Sequence, residues 1–127
     1  MRPPRIKEII AGIILLAGRG KETISLEKVY ATFHAMKSHE SILSGLHFSL
    51  TGDVCYSRDI DQAINYLNDG GFLKIVDGSA LAGEHASEFV NYLSGFLTNS
   101  QIQAVHSASL RFHERLRRDV EGPRARA

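Results

Sequence analysis

Residues 56–81, YSRDIDQAINYLNDGGFLKIVDGSAL, decide the fold that this sequence predicts. The stretch opens with a helix, because Ser57 is a favoured capping residue whose side chain can accept a hydrogen bond from the first turn. The apolar residues that follow recur at the three-and-four spacing of one buried helical face, and they are Ile60, Ala63, Ile64 and Leu67. The polar residues between them are then left on an exposed face.

A short hairpin is expected directly after this helix. A glycine pair at residues 70 and 71 ends the helix, and residues 72–76 have the composition of a strand. Asp77-Gly78 is a tight-turn dipeptide, and residues 79–81 form a short return strand. A helix followed by a small hairpin is the core of a winged-helix domain. The sequence therefore predicts an α+β fold, predominantly helical, with a winged-helix core and a β-hairpin wing.

Four elements are expected on the N-terminal side of this unit. A helix over residues 5–17 is apolar nearly all round, which suits a central position. A second helix begins after Ser25, which is expected to cap it. A short third helix over residues 38–46 and a hairpin formed by residues 47–50 and 54–56 complete this half.

Two C-terminal helices are expected after the wing. The first covers about residues 84–97. Thr98 and Gln101 then match a capping box, in which the threonine bonds forward and the glutamine reaches back. The last helix should continue to about Val120 and end at Gly122-Pro123.

The chain is expected to form one domain over residues 1–120, followed by a flexible basic tail over residues 121–127. Its 127 residues are too few for two ordinary domains. The apolar run at residues 9–18 is about half as long as a membrane span needs to be, so no membrane association is predicted. Cys55 is the only cysteine, which excludes an intrachain disulfide and favours a cytoplasmic location.

The central stretch also resembles a known group of small proteins. Residues 48–57, FSLTGDVCYS, precede the apolar helix at residues 60–67 and a Gly-Phe-Leu strand entry at residues 71–73. An aromatic strand, a turn, a Tyr-Ser helix cap, a helix and a Gly-Phe-Leu strand in this order resemble winged-helix proteins of the YwgA-like and Panacea antitoxin group. Val54-Cys55 stands where those families usually carry Gly-Pro. The resemblance covers about residues 5–81 and implies the fold alone.

The sequence contains no recognisable catalytic or metal-binding motif. Its six histidines lack the spacing of metal ligands. Cys55 with His47 comes nearest to a nucleophile and its base, while Asp59 and Asp61 are explained by the dipole of the helix they begin. We therefore predict a non-enzymatic protein without a cofactor or metal, and a small hydrolase-like enzyme is a distant third hypothesis.

DNA binding is one of two functions that the predicted fold favours. The helix over residues 57–69 would offer Arg58, Gln62 and Asn65 to a groove, and the last two suit adenine. One arginine and three aspartates give this helix a net charge of −2, which opposes binding to a polyanion. Further cations would have to contribute, and the candidates are Lys74 on the wing and Arg117 and Arg118 near the C-terminus.

Protein binding is the function that the sequence favours more. Apolar residues on the last helix alternate at spacings of three and four, which forms a seam able to pack on the domain itself or on a second copy. The interaction candidates on this seam are Ile102, Val105, Phe112 and Leu116. We predict a non-catalytic regulatory or adaptor module that binds a protein partner or a second copy of itself. The alternative is a DNA-binding transcriptional regulator that recognises double-stranded DNA.

Overall fold

Residues 5–18, 23–51 and 54–126 are described by a computed structural model of the chain. Within these residues the chain forms five α-helices, one 3-10 turn and two small antiparallel sheets. The predicted α+β architecture with mostly helical content is therefore confirmed. The elements in chain order are α1 (Ile6–Gly18), β1 (Ile24–Ser25), α2 (Leu26–Met36), the 3-10 turn (Ser41–Leu43), β2 (Ser49–Thr51), β3 (Val54–Tyr56), α3 (Arg58–Asp69), β4 (Leu73–Val76), β5 (Ser79–Ala82), α4 (Ala86–Phe96) and α5 (Asn99–Arg126).

Helix α3 and the hairpin after it form as the sequence predicts. The Ser57 side chain accepts a hydrogen bond from the Ile60 backbone N–H at 3.3 Å, which confirms the cap. Strands β4 and β5 pair antiparallel through the turn at Asp77 and Gly78. Both turn residues have positive φ, 50° and 75°, a conformation that aspartate tolerates and glycine adopts freely.

A three-stranded sheet ties the hairpin to the N-terminal half of the chain. Strand β1 pairs antiparallel with β5, so the strand order is β1-β5-β4. The second sheet is the predicted hairpin of β2 and β3, in which Ser49 lies opposite Tyr56. The predicted turn residues Gly52 and Asp53 lie outside the described residues.

Helix α1 occupies the centre of the core. Ile10, Ile13 and Ile14 are buried, and α1 packs against α3, α4 and α5. Gly12 permits the closest of these approaches, because a Cβ atom at this position would lie 2.7 Å from Leu93 Cδ1. The prediction of a central first helix is confirmed, since its apolar circumference is covered by three other helices.

Helix α5 lies across α1 and α2 with the predicted seam facing inwards. The capping box at its start is confirmed, because the Gln101 N–H donates to Thr98 Oγ1 at 3.2 Å and the Thr98 N–H donates to Gln101 Oε1 at 2.9 Å. Further along, the Phe112 ring lies against the Phe33 ring of α2 with centroids 4.6 Å apart. This contact anchors α5 to the core.

Two local predictions on the N-terminal side are wrong. Ser25 makes no side-chain cap, and the start of α2 is tied to the wing turn by the Leu26 N–H, which donates to the Gly78 carbonyl at 3.0 Å. The predicted third helix shrinks to the 3-10 turn. Leu43 and Leu46 are nevertheless buried as expected, so the segment is held by these two side chains rather than by a ladder of helical hydrogen bonds.

The end of α5 also differs from the prediction. The helix continues through Gly122-Pro123 to Arg126 instead of stopping near Val120. A proline removes its own backbone hydrogen bond to the preceding turn, but the residues after it can remain helical. The flexibility expected of residues 121–127 stays a prediction.

Candidate functional site

An exposed polar stripe runs along the outer face of α3. Arg58, Gln62, Asn65 and Asp69 follow one another at spacings of four, three and four, and all four are exposed. We call these four residues the α3 stripe. The structure therefore brings the three predicted DNA-contacting residues of this helix together on one surface.

The acidic residues at the start of α3 are not part of the stripe, and both have partners. Asp59 Oδ2 accepts a hydrogen bond from the His47 backbone N–H at 3.0 Å. Asp61 Oδ2 lies 3.5 Å from Asn65 Nδ2, and Asp61 also accepts a hydrogen bond from Tyr30. The stripe itself carries one cation and one anion, so its net charge is zero rather than the −2 of the whole helix.

Tyr30 of α2 is fixed between α3 and the second sheet. Its ring stacks on Tyr56 of β3 with centroids 5.8 Å apart. Burial raises the pKa of the Tyr30 hydroxyl to about 12, and the Asp61 carboxylate, Tyr56 and the hydrogen bond to Asp61 add to this shift. The neutral hydroxyl is therefore the form that links α2 to the first turn of α3.

The remaining predicted DNA contacts are separate from the stripe in sequence and in structure. Lys74 is exposed on β4, beside the exposed Val76 and Asp77 of the wing. Arg117 and Arg118 belong to α5, and their side chains lie outside what the structure describes. Only Arg58, Gln62, Asn65 and Lys74 can thus be placed on the surface.

The predicted interaction seam on α5 is internal packing. Val105 and Phe112 are buried in the core of the chain itself, and Ile102 and Leu116 are partly buried against it. A second copy cannot reach Val105 or Phe112 without unfolding this core. Of the two uses that the sequence leaves open for this seam, packing on the domain itself holds for Val105 and Phe112, which contacts with α1 and α2 cover, while an interaction role of Ile102 and Leu116 stays a prediction.

A run of aromatic side chains joins α3, the start of the hairpin and α4. Neighbouring ring centroids are 5.3 to 6.1 Å apart along the whole run. Such distances are typical of interacting aromatic pairs. We call the five residues the aromatic patch, and they are Tyr66, Phe72, Phe89, Tyr92 and Phe96.

The patch reaches the surface through its tyrosines. Tyr66 is 42% exposed and Tyr92 is 45% exposed, whereas Phe89 beneath them is buried. The Tyr92 hydroxyl donates to Glu8 Oε2 of α1 at 3.0 Å, and Lys7 Nζ lies 5.8 Å from the centre of the Tyr66 ring. These contacts hold the two exposed rings in place from the α1 side.

Sequence reasoning missed this patch. It predicted a helix over about residues 84–97 and singled out no surface on it. The available signal was the aromatic spacing of three and four at residues 89, 92 and 96, which places three rings on one side of α4. The contribution of Tyr66 and Phe72 depends on tertiary packing and leaves no local pattern.

Comparison with known proteins identifies no relative. No family model, curated protein or solved structure matches the chain. The candidate site therefore has to be argued from the geometry of this chain alone.

Cys55 and His47, the residues that come nearest to a nucleophile and its base in the sequence, are not paired across the β2–β3 hairpin. Cys55 lies opposite Leu50 in the β2–β3 ladder rather than opposite His47, and its side chain is outside what the structure describes. Among the described residues no three His, Cys, Asp or Glu side chains are grouped so that they could hold a metal ion. None of the helices in this part of the chain combines the length and the apolar character that crossing a bilayer requires.

An ion pair joins the loop after α2 to α5. Glu40, which follows α2, is buried and accepts hydrogen bonds from Nε and one terminal nitrogen of Arg111 on α5. The second of these bonds is 2.6 Å long. The hydrogen bond to Glu40 raises the pKa of Arg111, against the opposing effect of burial. This pair links the loop after α2 to α5 and serves packing.

Proposed function

We propose that this chain is a non-catalytic regulatory or adaptor module that binds a partner protein through the aromatic patch. The proposal includes a winged-helix scaffold and a cytoplasmic location, which the single cysteine favours. The resemblance of residues 5–81 to the YwgA-like and Panacea antitoxin group agrees with that scaffold.

The order of the elements supports the scaffold. The elements follow one another in the order α1, β1, α2, α3 and the β4–β5 hairpin. Strand β1 pairs with β5, the second strand of this hairpin. The β2–β3 hairpin is an insertion between α2 and α3 in this scheme. Helix α3 with the hairpin after it corresponds to the helix and wing of a winged-helix domain.

The exposed tyrosines of the aromatic patch are the single observation that carries the function. Tyrosine is enriched at the energetic centres of protein interfaces, because its ring offers a large apolar contact and its hydroxyl a hydrogen bond. Tyr66 and Tyr92 both sit on the buried Phe89 ring, so little side-chain entropy remains to be lost when a partner binds.

The surroundings of the patch specify the chemistry of the partner. Lys7 stands over Tyr66, and the exposed Arg5 lies just before α1, two residues earlier in the chain. We expect the partner to insert apolar side chains between the two tyrosines and to place a carboxylate near Lys7. An acidic, apolar segment of another protein meets both requirements.

Site-specific photo-crosslinking tests this proposal. Tyr92 is replaced by a photoreactive phenylalanine derivative in the full chain, which is expressed in its native cell and irradiated. The control carries the same residue at Leu110, which is 46% exposed on α5 and outside the patch. We expect a discrete crosslinked protein at residue 92 that is absent at residue 110.

The crosslinked protein must then bind the purified chain in a patch-dependent way. Because hot-spot residues dominate interface energies, Tyr92→Ser should weaken binding at least about tenfold, and Leu110→Ser less than about twofold. A crosslinked species that forms equally at both positions, or at neither, overturns the proposal.

Double-stranded DNA is the second candidate partner, and the neutral α3 stripe favours it. Gln62 and Asn65 are exposed side by side on this stripe, and both can form paired hydrogen bonds with adenine. The whole helix keeps its net charge of −2, because the partners of Asp59 and Asp61 are neutral groups, so cations from other elements would have to contribute to DNA binding.

Titration into mixed-sequence duplex DNA at low and at physiological salt separates the two candidates. A regulator that uses the stripe should bind at low salt, lose affinity steeply as salt rises, and weaken further in a Gln62→Ala, Asn65→Ala variant. The protein-binding proposal predicts that this double substitution has no effect on the partner.

A further inference from the structure

A half-enclosed apolar cavity lies where α1, α4 and α5 meet. Its volume is about 150 Å³, and no side chain that the structure describes fills it. Leu93 and Val105 form its buried floor. The apolar side chains that line the cavity are Leu16, Val90, Leu93, Leu97, Ile102 and Val105.

Polar groups lie only at the rim of this cavity. Ser94 and His106 line it as well, and both residues are exposed. The Ser94 hydroxyl donates to the Val90 carbonyl at 3.0 Å, so it faces a guest as a hydrogen-bond acceptor. The interior therefore provides only van der Waals contacts, and a polar group of a guest can be met only at the mouth.

The cavity is distinct from the aromatic patch. The residues that line the cavity include none of the five residues of the aromatic patch. A guest in the cavity and a partner on the patch thus occupy separate sites. The inference below does not depend on the proposed function.

We propose that this cavity is a binding site for a small, uncharged molecule with a single aromatic ring or a branched aliphatic group of comparable size. Protein interiors are close-packed, and voids of this size are few in a domain. A cavity of about 150 Å³ with an apolar lining accommodates a guest the size of benzene. The guest carries at most one polar substituent, which faces Ser94 and His106 at the rim.

Two probes of equal shape test whether the cavity accepts only an uncharged guest. Toluene and the N-methylpyridinium ion each have seven heavy atoms in the same arrangement, but only the second carries a fixed charge. A charge transferred into this interior would have no partner, so N-methylpyridinium should not enter. We expect toluene to shift the methyl NMR signals of Leu93, Leu97 and Val105 saturably and N-methylpyridinium to leave them unchanged.

Thermal unfolding gives an independent readout of the same binding. A ligand that binds only the folded chain raises the melting temperature, by roughly 3 to 6 °C at ten times its dissociation constant for a domain of this size. Biphenyl, with two rings, should give no such rise because it exceeds the cavity.

A substitution at the rim locates the site. Ser94→Phe covers the mouth from an exposed position and should weaken toluene binding at least about tenfold, whereas Ser87→Phe, an equal change two turns earlier on α4, should not. The comparison of toluene with N-methylpyridinium uses the unmodified chain, so it does not depend on whether a variant folds.

Methyl shifts that do not saturate, that spread beyond the cavity, or that are equal for both probes overturn the proposal. Shifts that occur only with a partner protein and never with toluene overturn it too, and would assign the cavity to a partner side chain.

Discussion

At the scale of single residues, two serines before two helices show how far a sequence pattern specifies a contact. Both Ser57 and Ser25 precede a helix in an extended conformation. Only Ser57 caps, with its side chain accepting from the Ile60 N–H, whereas the start of α2 is held by the bond from the Leu26 N–H to the wing turn. Capping preference is local, whereas a bond from a helix start to a distant carbonyl depends on tertiary packing.

The two serines give a matched pair of substitutions. Ser57→Ala should lower the free energy of unfolding by about 1 kcal/mol, since a buried cap and its hydrogen bond are lost. Ser25→Ala should change it by less than about 0.5 kcal/mol, because no capping bond is removed. Urea denaturation measures both. Equal losses at the two positions would contradict the assignment of the cap.

Tyr30 makes stability depend on pH in the alkaline range. Its pKa is about 12 in the folded chain, while an unfolded tyrosine ionises near 10. Below pH 10 the tyrosine is protonated in both states, so its contribution is fully present there. As pH rises from 10 to 12, the unfolded state releases a proton that the folded state retains, and stability falls.

Replacing Tyr30 by phenylalanine should remove this part of the pH dependence. The ring is only partly buried and water screens the interaction. We therefore expect the fall in the free energy of unfolding between pH 10 and 12 to be about 1 kcal/mol smaller in the variant. The difference between the variant and the parent should be constant from pH 7 to 9, which is the internal control. If the free energy of unfolding depends on pH in the same way for both proteins up to pH 12, the placement of Tyr30 beside Asp61 is refuted.

At the scale of elements, the Glu40–Arg111 pair holds α5 against the loop after α2. Arg111→Ala leaves the buried Glu40 carboxylate without its charged donor and should cost about 2 to 3 kcal/mol. Arg115→Ala, one turn further along α5, removes the same type of side chain outside this pair and should cost less than about 1 kcal/mol. Adding Glu40→Gln to Arg111→Ala should recover part of the loss, since a neutral amide is cheaper to bury. Equal effects at residues 111 and 115, measured by thermal unfolding, would rule the pair out as a stabilising contact.

The elements that sequence predicts well are those with strong local signals. Helix α3 has a cap, a regular apolar spacing and a glycine stop, and the wing has an Asp-Gly turn with positive φ at both residues. The segment around Leu43 has correct apolar positions but too few residues to sustain a helix, so tertiary burial decides its form. The end of α5 differs from the prediction, because Gly122 and Pro123 lower helix propensity without fixing the boundary, and the helix continues to Arg126.

At the scale of the whole molecule, the candidate site depends on packing that the sequence does not show. The seam on α5 has the periodicity of an interface, yet α1 and α2 use it for the core. The surface that remains contains rings from α3, the hairpin and α4, which no spacing rule connects. Periodicity identifies a face that must be buried, but it does not distinguish burial within one chain from burial between two.

The central claim is that the aromatic patch, and not the α3 stripe, binds the partner of this chain. The most direct test measures the dissociation constant of the crosslinked partner for the purified parent chain and for two double variants. We expect Tyr66→Ser with Tyr92→Ser to weaken binding at least about tenfold and Gln62→Ala with Asn65→Ala to change it less than about twofold. The reverse order of effects would refute partner binding through the aromatic patch and assign it to the α3 stripe.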